Sequence, residues 1–331
     1  MRYIVIGAGA VGGTIGGRLH ESGHDVVLVA RGAHLDALRR DGLRLTTPEG
    51  PRTLPVPATG GPEELGLRPG DVLLLAVKTQ HSLPLLDRWA ARPVAGGGTA
   101  GELLPLLCAQ NGVENERLAL RRFRHVYGVC VWLPSTHLEP GRVVAPGAPL
   151  SGILHLGRYP AGRDATARRI SADLEASGFG APVSDDVMRW KYAKLLSNLA
   201  NALEAVAGPV EGGLRESVAA RAAAEGAAVL AAAGIVPAGD EEQRAVRGDR
   251  VTPRPIDGET RGGGSSWQSL ARGAGDIEAD HLNGEIVLLG RLHGVPTPVN
   301  EALQRLAGAF AREGRAPGSL PDAALAELAA G

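Results

Sequence analysis

Three lysines stand among the 35 lysine and arginine residues of this 331-residue chain, and two of them share one stretch. That stretch, "MRWKYAKLLSNLANALEA" (188–205), holds Lys191 and Lys194, with Asn198 and Asn201 after them. Lysine, unlike arginine, can give up a proton near neutral pH once its surroundings depress its pKa. Spacings of i, i+3, i+7 and i+10 put the four residues on one continuous helical face, with Leu195, Leu196, Leu199, Ala202 and Leu203 filling much of the rest. Asparagine is a poor helix former and an unusual choice for a solvated face. Its amide offers both a donor and an acceptor to a polar ligand. The stripe therefore reads as the lining of a small-molecule site with a proton donor in it; a solvated stripe on an amphipathic helix is the alternative.

The surrounding elements divide the chain into two halves. From Ser184 onward the pattern is mostly helical. "SDDVMRWKYAKLLSNLANALEA" opens with Ser184 as a candidate cap and two acids in the first turn. "LRESVAARAAAEGAAVLAAAG" and "GDIEADHLNGEIVLLGRLHG" read as helices ending at glycine. Residues 250–266, "RVTPRPIDGETRGGGSS", read as a loop. Before Ser184, short apolar runs ("RYIVI", "DVVLVA", "DVLLLAV", "LPLLCAQ", "HVYGVCVWL") alternate with helical patterns at 10–21, 33–40, 82–92 and 114–122. Such runs suit parallel strands covered on both faces, and the alternation predicts a doubly wound α/β sheet. "GRVVA" and "GILHLG" read as extra strands. The expected division is 1–183, 184–314 and a peripheral tail, 315–331.

"RYIVIGAGAVGG" places Gly7, Gly9 and Gly12 directly after the first strand, with Ala10 and Val11 at the opening of a helix. This is the context a dinucleotide fingerprint requires. The first glycine makes the tight turn, the second admits the pyrophosphate, and the third lets helix and strand pack closely. The phosphates then meet the positive end of the helix. After the second strand, "VLVARGAH" carries Arg31 where an NAD or FAD site has a carboxylate. A guanidinium suits the 2′-phosphate of NADP. Lys78 and Asn111 end two further strand-like runs, at the sheet edge where ligands bind in open α/β folds.

The bulk numbers exclude other classes. A net charge of −1 leaves no electrostatic footprint for nucleic acid or an anionic membrane. No run of 18 apolar residues predicts a membrane span, and the N-terminal run reads as a strand rather than a signal peptide. Cys108 and Cys130 read as reduced, buried packing residues of a cytoplasmic protein. "HESGH" (20–24) matches a zinc-protease pattern formally, but Gly23 ends the helix before the second histidine, and no metal is expected.

At this point the motifs resemble those of the ketopantoate reductases over essentially the full length. "GAGAVG", Arg31, "VKTQ", "QNGVEN", "KLLSNLAN", "SSWQSL" and "IEADHLNG" occur in the family's order. The resemblance implies a Rossmann-type N-terminal domain plus an all-α C-terminal domain like that of 6-phosphogluconate dehydrogenase, with the active site in the cleft between them. It implies reduction of ketopantoate, or of a similar keto acid, with NADPH, and it allows a homodimer. The family's essential lysine and the asparagine four residues later map onto Lys194 and Asn198. Its strand-end lysine and asparagine map onto Lys78 and Asn111, and its serine and glutamate, twelve residues apart, onto Ser266 and Glu278. Its second helix asparagine usually lies eight residues after the lysine, whereas Asn201 lies seven after Lys194. Trp190 is displaced from the family's tryptophan, and Trp267 stands where an aliphatic residue is usual.

On this reading Lys194 is the general acid at the carbonyl oxygen and Glu278 orients it or meets a substrate hydroxyl. Ser266 and Asn111 hold the substrate carboxylate, and Asn198 and Asn201 its hydroxyl end. Gly7, Gly9, Ala10, Val11, Gly12, Arg31, Lys78 and Asn111 bind the cofactor. Lys191 reads as peripheral, because its turn lies towards the start of the helix. A reductase for another ketone or an imine, and a non-catalytic NADP sensor, are the competing readings; a sensor needs no proton donor.

Overall fold

The computed structural model describes residues 1–258 and 262–330. Contacts divide the chain into two compact units. The first comprises Met1–Gln110, Glu114–Lys191 and Gly239–Thr260, and the second Asn111–Val113, Tyr192–Ala238 and Arg261–Gly331. The change of unit thus falls inside a helix, between the two neighbouring lysines.

The strands of the first unit are β1 (Arg2–Ile6), β2 (Asp25–Val29), β3 (Leu43–Thr47), β4 (Gly50–Leu54), β5 (Ala58–Thr59), β6 (Asp71–Leu75) and β7 (Pro105–Cys108). They continue as β8 (His125–Trp132), β9 (Arg142–Val144), β10 (Gly147–Pro149), β11 (Gly152–Arg158), β12 (Phe179–Gly180) and β13 (Val251–Pro253). Eight form the main sheet, in the order β12-β11-β8-β7-β6-β1-β2-β5. The pairs from β8 to β5 are parallel, and β11 runs antiparallel to β8. The apolar runs have the expected cause. Tyr3 and Val5 of β1 point into a core with Ile15, Leu19, Ile170 and Leu174, while Ile4 and Ile6 point into another with Leu73, Leu75, Leu86, Trp89 and Phe123. The helices are α1 (Ala10–Glu21), α2 (Gly32–Asp41), α3 (Ser82–Ala90), α4 (Ala100–Leu103), α5 (Asn115–Leu120) and α6 (Ala165–Ala176).

"GRVVA" supplies β9, which pairs with β3 in a small separate sheet, and "GILHLG" supplies β11 of the main one. The segment expected to be a loop contains β13, paired with β10; its residues 259–261 lie outside the described residues. Gly23, at φ 85°, closes α1, so His24 lies beyond the helix, edge-on to the Tyr3 ring. Both cysteines are buried and form no disulfide, and Cys130 Sγ donates to the Trp190 carbonyl at 3.3 Å.

The second unit is helical. It contains most of α7 (Val187–Asn198), then α8 (Ala200–Ala207) and α9 (Gly213–Ala232); α10 (Asp240–Arg247) belongs to the first unit. It continues with α11 (Ser265–Ala271), α12 (Asn283–His293), α13 (Pro298–Glu313) and α14 (Asp322–Ala330). Leu195, Leu199, Leu203, Val229, Ile286, Leu303 and Phe310 are buried in it. A Cβ at Gly226 of α9 would fall 2.7 Å from Leu196 and 2.8 Å from Leu199, so this glycine admits the end of α7. Beyond Gly314, α14 packs on α9 with Leu325 buried, and the Leu328 carbonyl accepts from Arg221. No helix among the described residues is long and apolar enough to cross a membrane.

Candidate active site

In the first unit, three loops leave the carboxyl ends of adjacent strands. Ile6 pairs with Val29 on one side and Leu75 on the other, so the glycine loop, Arg31 and Lys78 follow neighbouring strands. Gly7 has φ 101°, and a Cβ there would fall 2.7 Å from a Val77 methyl. Its N–H and that of Ala8 both donate to the Val29 carbonyl. A Cβ at Gly12 would strike the Gly7 carbonyl oxygen, which is why α1 can start so close to β1. At Gly9 the nearest atom to such a Cβ is 3.9 Å away, on His137, leaving room for a phosphate. Ala10 and Val11 form the first turn of α1. Arg31 is exposed, in extended backbone at the start of α2. Lys78 precedes a 3-10 turn, Thr79–His81.

Sequence reasoning missed three groups beside these loops. Asn115, fully buried, donates to Thr79 Oγ1 (2.9 Å) and accepts from Ser82 Oγ (2.7 Å), tying the turn after Lys78 to α5. Its signal was the second asparagine of "QNGVEN". Gln80 and Gln110 have buried side-chain amides without a hydrogen-bond partner. Buried amides normally find partners, so two unpartnered ones at the strand ends fit a site that a polar cofactor completes. Asn111 stands just past Gln110 and is half-buried.

In the second unit the stripe spans two successive helices that meet at Leu199. The carbonyl of Leu199, between α7 and α8, accepts from Asn283 Nδ2 at 2.9 Å. Lys194 and Asn198 belong to α7 and Asn201 to α8, with the backbone of Leu199 between them still helical (φ −63°, ψ −26°). Asn283 also donates to Asn300 Oδ1 (3.0 Å), and Asn300 donates to the Ala222 carbonyl and to Glu225 (2.9 and 2.8 Å). This buried amide relay ties α9, α12 and α13 to the turn at Leu199. Nor does Ser184 cap α7 directly: Asp186 accepts from the Arg189 N–H at 3.3 Å, and Ser184 Oγ accepts from Asp186 N–H.

Lys194 is half-buried, while Asn198 and Ser266 are 4% and 2% exposed; Asn198 Nδ2 and Ser266 Oγ have no protein partner. Ser266 lies in the first turn of α11, which packs on α8. Glu204, also missed, accepts from the Gly264 N–H at 3.0 Å and so anchors the start of α11 beside Asn201. Glu278 is buried and opens the 3-10 turn that leads into α12 and Asn283.

Lys191 is not peripheral. It is 1% exposed and forms an ion pair with Glu116, itself fully buried. Burial pushes the Glu116 carboxyl up in pKa and the Lys191 ammonium pulls against it. The pair lies wholly within the first unit, which is where sequence spacing alone could not place it.

Comparison with known proteins bears on this arrangement. Residues 3–161 match the family described as ketopantoate reductase PanE/ApbA, and residues 186–311 match the ketopantoate reductase PanE/ApbA C-terminal family. The chain belongs to the ketopantoate reductase family. A 2-dehydropantoate 2-reductase from Mesorhizobium japonicum is 30% identical, over 95% of this chain and 98% of that protein. The crystal structure of a PanE/ApbA family ketopantoate reductase from Ralstonia eutropha superposes with a TM-score of 0.77 at 30% identity, covering 95% of this chain and all of that one. D-mandelate dehydrogenase, in a ternary structure with NADH and anilino(oxo)acetate, shares the fold at a TM-score of 0.79 and 23% identity, over 95% and 99% of the two chains. As a member of the ketopantoate reductase family the chain is an oxidoreductase acting on a CH–OH group, with a Rossmann-type domain and a helical C-terminal domain.

Proposed function

We propose that this protein reduces 2-dehydropantoate to pantoate with NADPH, with Lys194 as the general acid. One observation carries the assignment of the site: two polar groups, Asn198 Nδ2 and Ser266 Oγ, are buried without partners in the unit that holds Lys194. Leaving such groups unsatisfied costs about 1–3 kcal/mol each, an expense that a polar ligand would remove. Family membership and the reductase relatives supply the reaction class.

NADPH supplies the hydride when bound. Gly9, Ala10 and Val11 present backbone N–H groups to its pyrophosphate at the start of α1. Arg31, exposed and unopposed by a carboxylate at the end of β2, meets the 2′-phosphate. Lys78 and Asn111 take the nicotinamide side. As the carbonyl oxygen gains negative charge, Lys194 hydrogen-bonds to it and donates the proton. Arginine could stabilise that charge but could hardly deliver a proton. Glu278 orients Lys194 or accepts from a substrate hydroxyl. Ser266 and Asn111 hold the carboxylate, and Asn198 and Asn201 the hydroxyl end.

A second reading, reduction of another 2-oxo acid, ketone or imine, draws on two features. Asn201 belongs to α8 rather than to the helix of Lys194. The Trp267 ring packs over Gly262 and Gly263, where a Cβ would collide with it. Following NADPH absorbance with ketopantoate and a panel of 2-oxo acids separates the two. Preference for ketopantoate supports the first reading, preference for a different carbonyl compound the second, and no turnover with any of them would sink both.

A further inference from the structure

The Ala8 carbonyl, inside the glycine loop, is hydrogen-bonded to His34 Nε2 at 2.8 Å. The other ring nitrogen, Nδ1, accepts from the backbone N–H of Gly141, also at 2.8 Å. A backbone amide can only donate, so Nδ1 carries a lone pair and the proton sits on Nε2, which donates to Ala8. Both nitrogens of a neutral ring are thereby committed. Burial pushes the His34 pKa down, against the Ala8 carbonyl, and so favours this neutral form. The His137 ring packs at 4.3 Å between centroids and is itself held by the Arg142 carbonyl. His34 stands in the first turn of α2, three residues after Arg31.

The peptide between Ala8 and Gly9 is not among the cis bonds of the chain. In a planar trans peptide the C=O and N–H point in opposite directions. Drawing the Ala8 oxygen towards His34 therefore turns the Gly9 N–H the other way. Gly9 is the N-cap of α1, where the amides have no partner within the helix.

We propose that His34 is a cofactor-positioning residue: through the Ala8 carbonyl it sets the direction of the Gly9 N–H that meets the dinucleotide pyrophosphate. This rests on reading Gly7 to Gly12 as the cofactor loop. The two ring nitrogens can be tested separately. In H34Q the amide nitrogen reaches as far as Nε2 and keeps the donor to Ala8. In H34N the amide oxygen overlays Nδ1, keeping the acceptor for Gly141 and losing the Ala8 bond. H34L keeps neither.

The test is NADPH titration of the intact chain, followed by fluorescence, with a thermal melt of each variant. H34Q is expected within about twofold of the wild-type Kd, and H34N and H34L about tenfold weaker, equivalent to about 1.4 kcal/mol. At saturating NADPH the kcat of H34N is expected to match that of H34Q. Either H34Q or H34N decides alone: tenfold weaker binding by H34Q, or wild-type binding by H34N, overturns the inference. Affinity that falls only in step with melting temperature overturns it too, since His34 would then be a structural tie between Ala8 and Gly141. A wild-type chain that binds no NADPH overturns the underlying reading of the loop, and this inference with it.

Discussion

Lys191 and Lys194 lie three residues apart on one helix and are put to opposite uses. Lys191 is sealed in the first unit against Glu116, a pair with 1% and 0% side-chain exposure. Lys194 is half-buried, in the unit where Asn198 and Ser266 keep buried polar atoms without protein partners. A buried charge pair is a feature of the core, and removing one partner strands the other. Unsaturated buried dipoles cost stability unless something else satisfies them. Residue type and neighbourhood in the chain do not separate the two lysines; the burial of each and the groups around it do.

Breaking that comparison begins with Lys194. K194A is expected to lower kcat by about three orders of magnitude, within the usual range for a lost general acid. Its melting temperature and NADPH affinity should stay close to wild type. Near-normal turnover in a steady-state assay would remove Lys194 from the chemistry. K191A should do the reverse, destabilising the fold by about 3 kcal/mol in a urea melt, because Glu116 is left buried and uncompensated. The double variant K191M/E116L should recover most of that loss, since an apolar pair of similar volume replaces the charges. If K191A melts like wild type, the pair contributes nothing to stability.

A third test extends the contrast to a buried titratable group of the first unit. His155 stacks on Trp190 at 3.9 Å with no partner on either ring nitrogen, and its pKa is pushed down to about 4, first by burial and then by Arg250. The folded value lies below the unfolded one, near 6.5, so between these pH values the unfolded chain binds a proton that the folded chain refuses. Stability is therefore full above about pH 6.5 and falls as the pH drops towards 4, by about 2 kcal/mol at pH 5 from this group. H155F should flatten that part of the pH dependence in urea melts at pH 7.5 and pH 5; an unchanged pH dependence would show that His155 does not carry it.

The smallest effect concerns the unpartnered hydroxyl. S266A should raise the substrate KM by about tenfold, the scale of one lost hydrogen bond. It should leave the melting temperature unchanged or slightly higher, because no protein partner is lost. A clear drop in melting temperature would mean that Ser266 is a structural residue.

Much of this architecture was legible in the chain because it follows local rules. Two-sided apolar strands, helix periods and a glycine triplet after a first strand are readable within a dozen residues. The division between α7 and α8 at Leu199 was not legible, because leucine is an ordinary helix former and the Asn283 amide that its carbonyl meets lies 84 residues further on. The interpretation of Lys191 failed for a similar reason: its partner is 75 residues away, on a helix that nothing near Lys191 announces. Ser266 and Glu278 were reached only through family resemblance. Asn115, Glu204 and His34 were passed over because an amide, a carboxylate or an imidazole on a helix looks alike in sequence whether it faces solvent or a backbone group.

The sequence by itself determined where the chain must turn tightly, which segments are strands or helices, and which residue types stood ready for dinucleotide and proton chemistry. These depend on backbone sterics and on periodicity, which act between near neighbours. Only the tertiary structure decided which polar groups are satisfied and which are left open. That depends on partners such as Gly141 for His34, 107 residues apart, and Glu116 for Lys191. Burial makes each such partner worth having, and burial belongs to the folded chain.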